Sequence, residues 1–386
     1  MARLVVFRGK SLYGYLNRFT GALAAALAEA GDTIVMIDTE QPGHLGQLQQ
    51  ALGAGPVDGF IGFVRNGLIR QSDNNPYNLL DRPLVSIYLD PLLIYWQDVV
   101  TPIRRRILFS TAPDDPALWV DKFRITVPPI RHLAHAATPL AQGERAVPLD
   151  RRDVDILFSG TAPADPAILR SSWLNHGPAM AKSLFRLLEA YDADPGQSLG
   201  ALILRLEPGL AAIGTPEAAA FHFTTIDSYL RARSRWQTAQ ALMTLPTTFV
   251  GPGWEAVVAA SPGPLRATLL GQQDSGVVAD LMSRARIVVS TCTPHHGTHE
   301  RIFQAMAVEA VALTTETRWL RQNAPSEGLV QFRAGRDDVA GMAAQLLSDR
   351  ASMGRIAETG RRWFEAAYTW RHSAAAVRAA LNLPRP

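Results

Sequence analysis

The densest run of residues able to do chemistry is His295–Ala307, HHGTHERIFQAMA, which follows an apolar stretch at Ile287–Ser290 and opens a helix. Gly297 would let the backbone approach a ligand closely, and Thr298 is placed to cap the helix. The free amides of the first turn, together with the helix dipole, favour a bound phosphate. Arg301 stands in that first turn, where the dipole by itself would prefer an acid. A cation there makes sense if an anion arrives to neutralise it, the plainer reading being a pair with Glu300 or another carboxylate. His295, His296 and His299 also admit a metal reading. No second cluster in the sequence supplies carboxylates or thiolates to complete such a site, so no metal is expected.

Further candidates sit where short apolar strands give way to glycine or acid. Gly160-Thr161 closes DILFSG, Gly251-Pro252-Gly253-Trp254 follows TTFV, and Gly271-Gln272 follows another short run. Trp254 is a candidate to stack on a planar ring, although tryptophan is as readily core. Gly271 offers backbone groups to a ligand edge, and Gly9-Lys10 forms a loop after the first strand. Asp90, at the end of LVSIYLD, is the candidate base, the plain alternative being a turn aspartate before Pro91. Asp114 and Asp115 are weaker candidates of the same kind. Asp153-Val154-Asp155 has the spacing of a metal-binding acid pair. It precedes its strand, at the amino end, where doubly wound sheets do not bind ligands.

The elements that must position these residues are legible as a repeated strand–helix alternation. Leu4–Phe7, Thr33–Ile37, Gly59–Phe63, Leu84–Tyr88 and Ile107–Ser110 are short continuous apolar runs, with an alanine-rich helix at Tyr15–Ala30. Such runs between helices predict parallel sheets covered on both faces. Ala136–Asp150 is aperiodic and rich in proline, and reads as a linker. The pattern then restarts with strands at Asp155–Gly160, Thr247–Gly251, Ala267–Gly271, Ile287–Ser290 and Ala310–Thr314. A helix at Pro178–Tyr191 and a long one opened by Thr215-Pro216-Glu217 fall between them. The prediction is α/β with two facing Rossmann-like, doubly wound domains. The first covers residues 1–140 and the second 150–370, and a terminal helix, 371–386, crosses back onto the first. Ligands in such sheets lie beyond the carboxyl ends of the strands. For this chain those segments are Arg8–Leu12, Asp90–Trp96, Gly160–Pro163, Gly251–Trp254, Gly271–Ser275 and Thr291–Arg301.

At 386 residues, 47% hydrophobic and 19% charged, the composition is that of a globular protein large enough for two cores. No apolar run reaches the ~18–20 residues of a membrane span, and MARLVVFRGK is too short in apolar length for a signal-peptide core. A single cysteine, Cys292, excludes a disulfide framework and predicts a reducing, cytoplasmic setting. All but three of the 38 basic residues are arginine. That reflects either codon usage or selection for the planar fork that suits phosphate and carboxylate. No basic run with interleaved aromatics points to nucleic acid, and no glycine fingerprint of a dinucleotide fold follows an early strand.

His299-Glu300-Arg301, Phe303 and Ala305-Met306-Ala307 together resemble the HER-x-F-E-A-M-A segment of CgeB-like (spore-maturation-protein-type) glycosyltransferases, which belong with the bacterial-type group 1 enzymes of GT-B fold. Phe332, Gly360-Arg361 and Tyr368-Thr369-Trp370-Arg371 look like that family's closing helices. Gly251–Trp254 looks like its G-x-G-W turn, and Leu84–Pro91 is similar to its strand with a closing aspartate and proline. The resemblance implies metal-independent sugar transfer from a UDP-, dTDP- or GDP-linked donor to an acceptor, with no further cofactor. The donor would be held by Gly9, Gly160, Thr161, Gly251, Trp254, Gly271, His295, His296, Gly297, Thr298, Glu300, Arg301 and Gln304. Departures from the pattern fall at Gln304, at His296 and at Val308-Glu309, which displaces the glycine usual after Ala-Met-Ala. Gln304 stands where group 1 enzymes have the glutamate that binds the donor ribose, and His296 where they have a second glutamate. Two alternatives stay open: an epimerase or hydrolase of the same fold, and a catalytically inactive nucleotide- or glycan-binding homologue.

Overall fold

The structure, a computed structural model, describes residues 1–11, 14–69, 75–123, 126–141, 144, 146–212 and 216–383, the side chains of residues 122, 211 and 212 excepted. The proposed capping role of Thr215, and Leu12 at the end of its segment, lie outside these residues. Two compact units divide the chain. Unit 1 comprises Met1–Ala134, Gly209–Ala220 and Thr369–Pro386, and unit 2 comprises His135–Pro208 and Phe221–Tyr368.

Unit 1 is built on six parallel strands: β1 (Arg3–Arg8), β2 (Thr33–Asp38), β3 (Gly59–Phe63), β4 (Leu84–Tyr88), β5 (Arg106–Ser110) and β6 (Ile130–His132). They lie in the order β2-β1-β3-β4-β5-β6. Every residue of β3 and β4 is buried, as expected of central strands covered on both faces, whereas edge strand β2 is half exposed. Helix α1 (Tyr15–Glu29) buries Phe19, Leu23 and Leu27. The last helix of the chain, Trp370–Ala380, packs on it. Trp370 sets its ring 5.5 Å from Phe19 and 6.1 Å from Phe63, and Arg378 forms a buried ion pair with Asp32. The carboxyl end of the chain is thereby part of unit 1.

Unit 2 holds a second sheet of six parallel strands: β7 (Val154–Ser159), β8 (Thr247–Val250), β9 (Thr268–Leu269), β10 (Ala285–Ser290), β11 (Val311–Thr315) and β12 (Val330–Phe332). Their order is β12-β11-β10-β7-β8-β9, so the chain reverses direction across the sheet between β7 and β10. Such a switch point is where doubly wound sheets bind ligands. Three helices matter for the site: α2 (Pro178–Ala193), α3 (Glu217–Leu242) and α4 (Glu300–Ala307). The apolar face of α3, with Trp236, Ala239, Leu242 and Met243, is buried against Ile156, Phe158, Phe249 and Val289 of the strands.

The two sheets of α/β type agree with the reading of the sequence, and the differences have physical causes. β6 and β12 were not expected. Each is three residues long and mixes polar with apolar side chains, too little for a periodic signal. β9 is only two residues, and Leu270 and Gly271 after it still bond to Phe249 and Gly251. The acid pair at 153 and 155 is spent on arginines at the amino end of β7: Asp153 pairs with Arg284 and Asp155 with Arg286.

Candidate active site

Three glycines close the carboxyl ends of adjacent strands β7, β8 and β9. Gly160, Gly251 and Gly271 all have positive φ, at 127°, 125° and 60°. The Gly160 amide donates to the Val250 carbonyl at 2.7 Å and the Gly251 amide to the Gly271 carbonyl at 2.6 Å. A Cβ on Gly251 would lie 2.2 Å from the Gly160 carbonyl oxygen, so the close approach of these two strand ends excludes any side chain. Trp254 holds the same edge from below. Its indole N–H donates to the Gly160 carbonyl at 3.0 Å, and its ring packs against Phe158 and Phe249. At 1% exposure Trp254 is core and has no face free to stack on a ligand, which corrects its assignment as a ring platform.

Two arginines converge above Gly160. A Cβ there would lie 3.2 Å from Nη1 of Arg235 and 3.3 Å from Nη2 of Arg301. Arg301 donates through Nε to the Ser159 hydroxyl at 3.0 Å and lies 3.8 Å from the Glu300 carboxylate. Arg235 donates to the Thr161 carbonyl at 2.9 Å and toward the Thr291 hydroxyl. Among the described residues no carboxylate comes within ion-pair distance of Arg235. Burial, reinforced by Arg301 and Arg231, lowers its pKa to about 10. Sequence reasoning missed Arg235. It belongs to a row on α3, Asp227–Arg231–Arg235, whose four-residue spacing puts all three on one face; that spacing was the available signal.

Asp227 is the centre of a second network. Its Oδ1 accepts from His295 Nε2 at 3.0 Å and lies 3.1 Å from His296 Nε2, while Oδ2 accepts from Arg231 at 2.7 Å. Burial alone would raise this carboxyl, but Arg231 and the two histidines pull it well below the usual carboxylate range. His296 goes the other way: burial and Arg231 lower it to about 4, which keeps the ring neutral. His295 is 7% exposed, enclosed by Tyr191 and Phe223, with Nδ1 2.8 Å from the Tyr191 hydroxyl. It therefore supports the loop from behind and does not line an opening; His296, half-buried, is nearer the surface. The carboxylate that the sequence could not supply to the histidines is Asp227. The ligand atoms of Asp227, His295 and His296 lie within 4.8 Å of one another, a grouping able to hold a metal ion.

At the start of α4 the cap is His299, whose Nδ1 accepts from the Arg301 amide at 3.3 Å. Thr298 was expected in that role. Its hydroxyl instead accepts from the His135 amide at 3.2 Å, and the His135 ring lies 2.9 Å away. Gly297 is buried with its carbonyl taken by the Thr317 hydroxyl at 2.9 Å. Its backbone is therefore not the surface a ligand would meet. Glu300 lies 3.0 Å from His299 Nδ1; burial would raise it, but His299, Arg301 and His135 hold it well below the carboxylate range. One turn further on, Gln304 keeps a buried Oε1 with no hydrogen-bond partner among the described residues.

In unit 1, Asp90 lies just beyond the carboxyl end of β4, half-buried, accepting from the Tyr95 hydroxyl at 3.2 Å. Gly9 is pinned: Asn17 bonds both its amide and its carbonyl, and a Cβ would lie 2.2 Å from the Thr39 hydroxyl. The loop after β1 is therefore held in place at that glycine. Asp115 is fully buried, accepting from the Ser110 hydroxyl and, at 2.8 Å, from the Leu92 amide. Burial raises its pKa to about 7. It thus anchors the turn that follows Asp90.

Residues 231–379 match the family model described as "Glycosyl transferase-like". No curated protein sequence matches the chain. Among solved structures, an alpha-glucosyltransferase in complex with UDP is similar at 11% identity, with a TM-score of 0.57, covering 99% of this chain and 100% of that one. HepE from Anabaena in complex with UDP-glucose is similar at 9% identity, with a TM-score of 0.56 and coverage of 98% and 100%. Sucrose-phosphate synthase from Thermosynechococcus elongatus shares 14% identity, with a TM-score of 0.54 and coverage of 99% and 98%. At these identities the likeness establishes the fold.

Proposed function

We propose that this chain, which has the GT-B fold and matches a glycosyl transferase-like model over residues 231–379, is a glycosyltransferase whose unit 2 binds a nucleotide-sugar donor at Gly160. The observation that carries this reading is the convergence of Arg235 and Arg301 over the Gly160 turn, with no carboxylate paired to Arg235 among the described residues. Two guanidiniums held together at a strand's carboxyl end are poised for a dianion such as a pyrophosphate. Charge on the departing nucleoside diphosphate grows as the glycosidic bond breaks, and fixed arginines stabilise it without a metal ion. Gln304, one turn into α4, offers its unpartnered Oε1 to a ribose hydroxyl. Asp90 of unit 1 is the proposed base for the acceptor hydroxyl, with unit 1 the acceptor side and unit 2 the donor side. A uridine donor is the first to try, because two of the neighbours were solved with UDP or UDP-glucose.

Within the group 1 enzymes we read the chain as CgeB-like, on His299-Glu300-Arg301 and Ala305-Met306-Ala307. Among the described residues no helix is long and apolar enough to cross a membrane. With the one cysteine buried, we place the protein in the cytoplasm.

The deciding experiment incubates the purified protein with a panel of nucleotide sugars, with and without cell extract, and follows nucleotide release. Acceptor-dependent release from one donor supports the reading. Release without acceptor assigns a hydrolase or epimerase, and binding without release an inactive homologue. A protein that binds no nucleotide at all overturns it.

A further inference from the structure

Helix α3 carries two stripes. One, Asp227–Arg231–Arg235, faces the glycine turn and the His296 loop. The other, Leu230–Arg233–Ser234–Gln237, is rotated by roughly a quarter to a third of a turn at 100° per residue, and forms one wall of a separate cavity of about 500 Å³ in unit 2. The opposite walls are the carboxyl ends of β10, β11 and β12, at Cys292, Thr315 and Phe332, and the turn that follows β12. None of Gly160, Arg235, Arg301 or Gln304 lines it.

We propose that this cavity is a second ligand site, for a small sugar phosphate, distinct from the donor site. Two polar groups on the wall lack partners. Ser234 is 9% exposed and its hydroxyl has no hydrogen-bond partner among the described residues. The Gln237 carboxamide, three residues along the same stripe, likewise bonds to none of the described residues. Gly335, at φ 72°, faces it so closely that a Cβ would lie 2.6 Å from Gln237 Oε1. Of the two, the half-buried Gln237 carboxamide is the group open to a ligand, whereas the Ser234 hydroxyl is enclosed in the wall.

The rim supplies charge. Arg336 is exposed, donates to the Asp192 carbonyl at 3.1 Å and has no carboxylate within ion-pair distance among the described residues. Arg321 and Arg333 also line the cavity, paired with Glu316, itself a lining residue, and with Asp337. Guanidiniums around a phosphate, with the Gln237 amide and the Asp194 carboxylate for a sugar's hydroxyls, match this lining. A nucleotide fits less well. Tyr191 and Phe332, the aromatic residues of the lining, are each 1% exposed and present no ring face on which a base could stack.

The test is calorimetric titration of the full chain with ribose 5-phosphate, glucose 6-phosphate and inorganic phosphate, each repeated with UDP at saturation. At least one sugar phosphate should bind more tightly than inorganic phosphate and bind equally well beside UDP. Gln237→Ala and Arg336→Ala should each weaken it by about tenfold, the cost of a hydrogen bond to a charged or buried polar group, and leave the UDP affinity unchanged. Arg235→Ala should do the reverse. Both substituted side chains are outside the core, so folding is expected to survive, and an unchanged melting temperature confirms it. The proposal fails if no sugar phosphate binds at concentrations up to about 10 mM, the weak end of specific affinity. It fails equally if UDP competes with the sugar phosphate, if inorganic phosphate binds as tightly, or if Arg235→Ala is the variant that abolishes the binding.

Discussion

Arg235 and Arg301 reach Gly160 from two different helices, their nearest nitrogens 3.2 and 3.3 Å from where a side chain would begin. Packing like charges this closely is unfavourable until an anion arrives. Burial first, and the neighbouring Arg301 and Arg231 after it, lower Arg235 to about 10. The glycine serves the arginines directly: any side chain at 160 would occupy the point on which they converge.

If the arginines supply the counter-charge, no divalent ion is required, and turnover with a nucleotide sugar should survive an excess of chelator. The contrary reading has a definite location. Loss of turnover with EDTA and its return with manganese or magnesium would assign the ion to Asp227, His295 and His296, and Asp227→Asn would then abolish the metal response.

Asp115 makes the stability of unit 1 depend on pH. Burial holds its folded pKa at about 7, above the unfolded value near 3.8. The proton it retains contributes stability that is complete below about pH 4 and is lost as the pH rises through 7. Urea midpoints of wild type should therefore fall between pH 5 and 8. Asp115→Asn, which stays neutral, should flatten that decline, a difference on the order of 2–4 kcal/mol across the full shift. Parallel pH profiles for the two proteins would show that Asp115 is not the group responsible.

Gln304→Glu restores the charge that group 1 enzymes carry one turn into this helix. A carboxylate accepts a ribose hydroxyl's hydrogen bond more strongly than an amide, by roughly 1 kcal/mol or somewhat more. The UDP dissociation constant is expected to fall by about three- to tenfold, with nucleotides lacking both ribose hydroxyls gaining nothing. Equal gains for ribose and dideoxyribose nucleotides would remove Gln304 from the ribose contact.

What the sequence made legible was whatever lay contiguous in the chain. The strands from β3 to β5 are largely apolar runs because both faces of the sheet are covered, and their limits could be read almost to the residue. The His295–Gln304 segment stood out because glycine, histidine and arginine crowd a strand-to-helix turn. Partners brought in by folding were invisible. Asp227, Arg231 and Arg235 lie on a 26-residue helix, and only the tertiary packing turns that row toward the glycine turn. Thr298 and Trp254 were misread for the same reason. The hydroxyl that looked like a cap is claimed by His135, 163 residues away, and the indole that looked available is claimed by the Gly160 carbonyl.

The two arginines should separate in kinetics. Arg301 is fixed by Ser159 and His299 and stands in the first turn of α4, so its charge is rigidly placed for the leaving group. Removing it should lower turnover more than donor affinity, because charge on the departing diphosphate is greatest in the transition state. Losing one such contact is typically worth ~2–4 kcal/mol, a drop on the order of 10²-fold or more in turnover. Arg235 has no acid partner among the described residues, and it is neutralised as soon as the ground-state pyrophosphate binds. Arg235→Ala should therefore weaken donor binding at least as much as it slows turnover. In the double variant the effects should fall short of additive, since each arginine also repels the other in the empty site. The measurement is the UDP-sugar dissociation constant and single-turnover rate for wild type, both single variants and the double. Normal turnover in Arg301→Ala would displace the donor from Gly160, and additive losses would show that the two guanidiniums do not share one anion.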